Sequence, residues 1–193
     1  SHMDWMKWLF STWTMIRLSG LTGHFFLTLS VLAGLLGSFP ALKKQKARLH
    51  NIHLYSGWAG LLAIVLHATL IIVDTYAPLS LLEILVPGTA SYEPLWNAFG
   101  TISLYLFGFV LVTSDFLKET LGKTLWKLTH WLVLPAWLLM TLHGIFIGTD
   151  TGTLFTTIWY ACSTLTLFTL ILYRMQIRPK TAAPKKQASS FVK

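Results

Sequence analysis

Charge is scarce in this chain: Asp, Glu, Lys and Arg supply 11% of its 193 residues. A water-soluble domain carries about 25% charged residues, so an ordinary soluble globule is excluded. Cysteine is nearly absent, and Cys162 alone cannot form an internal disulfide. No small-residue cleavage site follows the first apolar run, so no cleavable signal peptide is expected. No Gly-rich dinucleotide fingerprint occurs either, which excludes a nicotinamide or flavin dinucleotide site of that type. Ser1, His2 and Met3 read as the remnant of a cleaved tag, and His2 is set aside on that ground.

What the chain does have is apolar length, with 54% hydrophobic residues. Five runs approach the roughly 20 residues that a helix needs to cross a ~30 Å hydrocarbon layer. They are Ile16–Phe39, His53–Val73, Leu95–Ser114, Leu128–Ile147 and Leu154–Tyr173. Trp5–Trp13 is shorter and Trp-rich, the pattern of an interfacial helix. Leu79–Trp96 is apolar but broken by Pro87, Gly88 and Pro94, and predicts a cap lying on one membrane surface. The expected fold is an all-α integral membrane bundle of about five transmembrane helices with an N-terminal interfacial helix. Residues 1–15 hold the remnant and that helix, 16–173 the membrane domain, and 174–193 a basic tail.

The charges predict an orientation. Lys43, Lys44, Lys46 and Arg48 follow the first span; Lys118, Lys123 and Lys127 follow the third; Arg174, Arg178, Lys180, Lys185, Lys186 and Lys193 follow the fifth. Those segments hold 13 of the 15 Lys and Arg residues and fall on one side of a five-span topology. The opposite loops carry Asp74, Glu83, Glu93 and Asp150 and no basic residue. By the positive-inside rule the basic side is cytoplasmic, with the N-terminus outside and the C-terminus inside. Spans two and four then run in the same direction, from inside to outside. Juxtamembrane Lys and Arg ordinarily meet anionic lipid headgroups, so the net charge of +8 implies membrane lipid as partner and no nucleic acid.

Ionisable residues within a bilayer are expensive and mark function by default. His53 and His67 bracket span two, 14 residues apart, and His130 and His143 bracket span four, 13 apart. At 1.5 Å per residue each pair is separated by about 20 Å along its helix. Fourteen residues fall only about 40° short of four full turns, so His53 and His67 share a face. On parallel spans, His53 and His130 lie at one depth and His67 and His143 at another. Facing helices would thus offer two imidazole pairs, one above the other, and neutral imidazole on facing helices suits haem iron. With one cysteine, C-x-x-C-H attachment is impossible and any haem is non-covalent. An ideal helix leaves His143 about 140° from the face of His130; Pro135, between them, can kink or unwind the span. The competing account is that these histidines only hydrogen-bond between helices.

At these residues the chain resembles the ferric reductase-like transmembrane family, which includes NADPH oxidases, ferric reductases and a bacterial haem subunit of a methionine-sulfoxide reductase system. The family pattern is H-x13-H on one span and H-x12-H or H-x13-H two spans later; here it covers roughly residues 16–173. The resemblance implies two haem b groups, each bridged by one histidine from each span: His53 and His130 at the inner iron, His67 and His143 at the outer. It implies an oxidoreductase or oxidoreductase subunit in a cell membrane, the bacterial inner membrane by type, moving electrons from cytoplasm to exterior. The acceptor would be ferric iron, oxygen or an external partner reductase. Family oxidases have six spans and a flavin domain after the last; here about 20 polar residues follow Tyr173. Flavin is therefore expected only on a separate cytoplasmic flavoprotein, unless quinol is the donor.

Other residues carry weaker signals. Arg17 opens the first span on the outer side, as an outer-haem propionate partner, an acceptor-site residue by the resemblance, or a snorkelling cation. His24, about two turns on, could bond near the outer haem or serve helix packing. His50 is a headgroup-level residue and an alternative to His53. Trp137 lies between the two levels, as a filler between porphyrins or as bundle packing. Two other functions fit the sequence: a quinol-linked di-haem cytochrome b subunit, and a non-haem transporter or scaffold.

Overall fold

A computed structural model describes residues 2–149 and 151–177. Asp150 and the basic residues Arg178, Lys180, Lys185, Lys186 and Lys193 lie outside them. The described chain is helical, with five helices long and apolar enough to cross a membrane: Thr12–Leu36, Pro40–Ile72, Pro94–Asp115, Lys118–Ile147 and Leu154–Gln176. The protein is an all-α integral membrane bundle.

Helix α1 (His2–Leu9) ends before Trp13, so the Trp-rich segment is divided. The division falls at Ser11, whose hydroxyl accepts from the Thr14 backbone N–H and caps α2 (Thr12–Leu36); a serine there satisfies one of the orphan donors of a helix start. Helix α2 stops short of Phe39 because Pro40 disfavours helical backbone in the residue before it. A 3₁₀ segment (Pro40–Gln45) then leads into α3 (Lys46–Ile72). The short α4 (Leu81–Leu85) follows. Helix α5 (Pro94–Asp115) forms span three, and α6 (Lys118–His130) with α7 (Val133–Ile147) forms span four. The last element is α8 (Leu154–Gln176).

Helix α2 is the hub. It buries Gly23, His24, Leu27, Thr28, Ser30 and Val31 among others, whereas α3 and α8 bury only three residues each. Small residues (Gly23, Ser30, Ser56, Gly57, Gly60) let α2 and α3 approach closely, the packing mode that replaces hydrophobic drive between helices in lipid. Helices α5 and α7 make a second close pair, with the Ser103 hydroxyl donating to the Ala136 carbonyl at 2.9 Å. Packing is dense within each pair and sparse between them. A core of Leu27, Val31, Phe107, Trp137, Met140 and Leu167 joins the pairs at mid-depth. Leu62, Phe109, Leu138, Phe155, Leu165 and Phe168 point outward, where lipid is their solvent.

The cap does not simply lie flat on the surface. Ser80 and Glu83 form a capping box on α4, and Glu83 also accepts from the Ser91 N–H at 2.7 Å. The Thr101 hydroxyl donates to the Ile84 carbonyl at 2.8 Å, and Tyr105 donates to the Leu85 carbonyl. These bonds lean α4 against the N-terminal half of α5. Glu83 is half-buried, and its carboxyl is held down to about 2, first by the Ser80 N–H and then by Ser91 and the Ser80 hydroxyl.

Candidate functional site

The structure brings the four histidines together as two pairs. His53 meets His130 with ring centres 5.8 Å apart, and His67 meets His143 with ring centres 6.2 Å apart. The registration problem on span four is solved at Trp131 and Leu132, which separate α6 from α7. The Leu132 N–H bonds three residues back to Thr129, and the Leu134 N–H three back to Trp131. Pro135 explains the second bond: it has no N–H to offer the Trp131 carbonyl, so Leu134 takes that acceptor. A 3₁₀ turn advances about 20° more per residue than an α-helix, so this turn supplies part of the rotation that brings His143 round. The interruption of the span thus lies at Trp131–Leu132, just before Pro135.

Each ring is held at the same atom. His53 Nδ1 lies 2.8 Å from the Ser30 carbonyl, His67 Nδ1 2.8 Å from the Ile16 carbonyl, and His143 Nδ1 2.8 Å from the Trp96 carbonyl. His130 Nδ1 lies 2.8 Å from the Ser114 hydroxyl. A carbonyl can only accept, so His53, His67 and His143 each carry their proton on Nδ1 and, when neutral, keep a lone pair on Nε2. Metal-ligating histidines are almost always fixed through the other ring nitrogen in this manner. Ser30 binds its partner twice, since its hydroxyl also donates to the His53 carbonyl at 2.7 Å.

Room for the rings comes from absent side chains. A Cβ at Gly20 or Gly34 would stand 3.1 Å from Nδ1 of His67 or His53, and one at Gly100 would stand 2.7 Å from the His143 ring. Gly20 and Gly34 are separated by fourteen residues, the spacing of His53 and His67 on the antiparallel partner. These glycines, Ser30 and Ser114 escaped the sequence reading. Their signal was available as that matched spacing of small residues against histidines.

The surroundings of the pairs differ; His67 and His143 are called the outer level and His53 and His130 the inner, after the orientation the charges predict. His67 and His143 face a cavity of about 560 Å³ that Arg17, Glu83, Asn97 and Tyr160 also line. Cofactor pockets commonly span ~300–1,000 Å³. Above it, the Arg17 guanidinium lies 4.0 Å from the centre of the Trp13 ring. His53 and His130 face a slot enclosing about 30 Å³, edged by Trp58, whose indole N–H donates to Asp115 at 2.5 Å.

The remaining candidates fall elsewhere. His24 is 2% exposed and fully engaged. Its Nδ1 accepts from the Trp159 indole at 2.9 Å, and its Nε2 donates to Thr141 at 2.9 Å. It therefore ties α2 to α7 and α8, in a packing role, while also lining the outer cavity. Trp137 is buried between the levels and donates to Thr28 at 2.8 Å. The His50 ring lies 6.5 Å from that of His53 and is exposed; His53, not His50, stands against His130.

The donor set can be tested against possible occupants. Two nitrogens each about 2 Å from one metal ion place imidazole centres roughly 6 Å apart, as both pairs are. Among the described residues no group of three or more His, Cys, Asp or Glu could hold a metal ion. A metal at either pair would therefore draw its other ligands from a molecule, as iron does in a porphyrin. The donors fit haem at both levels; the outer level also has cofactor-sized room, while at the inner level a macrocycle would displace the Trp58 indole from Asp115. No family model, curated protein or solved structure matches the chain.

Proposed function

We propose that this protein is a di-haem b transmembrane electron carrier, an oxidoreductase or oxidoreductase subunit of the ferric reductase-like kind that its histidine spacing resembles. The observation that carries the reading is the arrangement of four half-buried imidazoles as two facing pairs, each ring bonded at Nδ1. Structural histidines have no reason to share one bonded nitrogen at two depths; ligands do. Bound haem supplies one-electron oxidation and reduction. The chain's own part is to orient and to insulate. Carbonyls on α2 and α5 aim the ring nitrogens, and the glycines opposite leave space for the rings to turn inward. Between the levels Leu27, Val31, Phe107, Trp137 and Met140 exclude water, which strengthens every electrostatic interaction inside.

In this reading the basic face is cytoplasmic and a separate flavoprotein or quinol reduces the inner level. Electrons then pass outward over about 20 Å to ferric iron, oxygen or a partner reductase. Arg17, on the wall of the outer cavity, is suited to a haem propionate or an anionic acceptor. The purified protein should show a reduced-minus-oxidised spectrum typical of bis-histidine b haem, and a pyridine haemochrome assay should give two haems per chain. A reproducible value of one would remove the inner site; a protein that takes up no haem would favour the transporter or scaffold alternative.

A further inference from the structure

The two levels repeat each other with one exception. Ile16 and Ser30, fourteen residues apart on α2, present carbonyls to His67 and His53. On α5, Trp96 presents a carbonyl to His143, and the same step of fourteen leads to Val110. Yet His130 and His143 are only thirteen apart, on either side of the Trp131–Leu132 break, and the Val110 carbonyl accepts the Thr113 hydroxyl instead. Ser114 fills the place left open, with its hydroxyl at His130 Nδ1. It stands fourteen residues after Gly100, the residue that makes room for the His143 ring.

A hydroxyl differs from a carbonyl in two ways. It can donate as well as accept, so it does not by itself fix the tautomer of His130. It is also a weaker acceptor than an amide carbonyl, and its oxygen takes a second donor: the Trp126 indole N–H, which can only donate, reaches it at 3.3 Å. Lys118 lies over that indole, 4.3 Å from the ring centre. If Ser114 donated to Nδ1, the His130 proton would sit on Nε2 and that nitrogen could not be a ligand. If Ser114 accepts, the Nε2 lone pair is available, but the ring gives up less electron density than one bonded to a carbonyl, which is the stronger acceptor.

We infer that Ser114 is a positioning residue for the inner pair: by accepting its Nδ1 proton it turns His130 into a ligand, and as a hydroxyl in place of a carbonyl, further loaded by Trp126, it makes that ring the least electron-donating of the four. The inference rests on the haem reading. Stronger hydrogen bonding at Nδ1 raises ligand basicity and favours ferric iron. The inner level therefore has a higher reduction potential than a carbonyl partner would give it, and substitutions on the two sides of Ser114 should act with opposite sign.

The test is optical potentiometric titration of the full chain in detergent, with haem content by pyridine haemochrome. Ser114→Ala removes the acceptor and should raise the inner midpoint potential, by about tenfold in the reduced-to-oxidised ratio, which is about 59 mV for one electron. Ser114→Thr keeps the hydroxyl and should restore it. Trp126→Phe frees the oxygen for His130 and should lower the same midpoint, leaving the outer component where it was. Shifts of the same sign in S114A and W126F, shifts in both components, or no shift with full haem content would overturn the inference. Should S114A lose the inner haem alone, its orienting role is supported and the sign of W126F decides the electronic one. Unsubstituted protein without haem would instead overturn the reading beneath it.

Discussion

At the outer level a histidine pair opens on a cavity of about 560 Å³; at the inner level a pair with nearly the same ring separation closes on a slot of about 30 Å³. The ligand geometry is common to both, since α2 and α3 run antiparallel in unbroken register and impose one fourteen-residue period. What differs is the material that covers each end. Over His67 and His143, the segment with α4 leans on α5 and walls a chamber with Glu83, Ile84 and Tyr92. Inside, the Trp58–Asp115 bond and the Trp58–Phe116 ring contact, with centres 6.1 Å apart, tie α3 to the end of α5. Charge differs as well: Arg17, Asp74 and Glu83 line the larger cavity, Asp115 the slot. Ring position is thus a property of helix register, whereas room and charge are properties of the ends.

The strongest way to break this comparison is to remove one level. His67→Ala should abolish the outer haem and halve haem per chain, with the remaining haem still reduced by a donor on the basic side. His53→Ala should also halve it, but leave an outer haem that this donor no longer reduces. Haemochrome assay and stopped-flow reduction of both variants check the pair. The reverse pattern would invert the two levels relative to the membrane.

A second experiment sharpens the comparison by crowding the rings. A methyl group at Gly100 meets the His143 ring at 2.7 Å, and one at Gly34 meets His53 at 3.1 Å. Gly100→Ala should therefore weaken outer haem retention by about tenfold or more, in the range of supporting-residue substitutions at metal sites. Gly34→Ala should cost the inner level less. Haem transfer to apomyoglobin, followed by wavelength, gives the two rates separately. Equal losses would show that glycine contact does not distinguish the levels.

The smallest effect concerns the outer cover alone. The Glu83 carboxylate is held at about 2 by its serine partners, against an ordinary value of 4.5. A depressed folded value stabilises the capped form above pH ~4.5, and that contribution fades as pH falls towards ~2. Proteolysis between residues 79 and 93 should therefore rise over that window, and Glu83→Gln should remove the pH dependence while leaving the inner level unaffected. A cleavage rate that is flat between pH 5 and 3 in the unsubstituted protein would show that the box does not hold the cover.

Much of this was readable along the chain. Apolar runs gave the five spans, because a helix must satisfy its own backbone in lipid. The depth of each histidine followed from helix rise alone. The face of His143 did not, since ideal rotation puts it about 140° off, and the turn at Trp131–Leu132, which supplies part of the difference, has no periodic signal. The cap segment was legible from Pro87, Gly88 and Pro94, but its lean against α5 depends on Thr101 and Tyr105, hydroxyls that carry no periodic signal.

By itself, then, the sequence determined an all-α membrane protein with two histidine pairs at two depths. Length, hydropathy and helix rise are local quantities, and each can be read without knowing which helices touch. Tertiary structure alone decided which nitrogen of each ring is bonded, that His24 is a strut between three helices, and that Ser114 replaces a carbonyl at one ring of four. Those are relations between residues far apart in the chain, such as Ile16 with His67 and Trp96 with His143. They come into being only when two helices are brought to within hydrogen-bonding distance, about 3 Å between donor and acceptor.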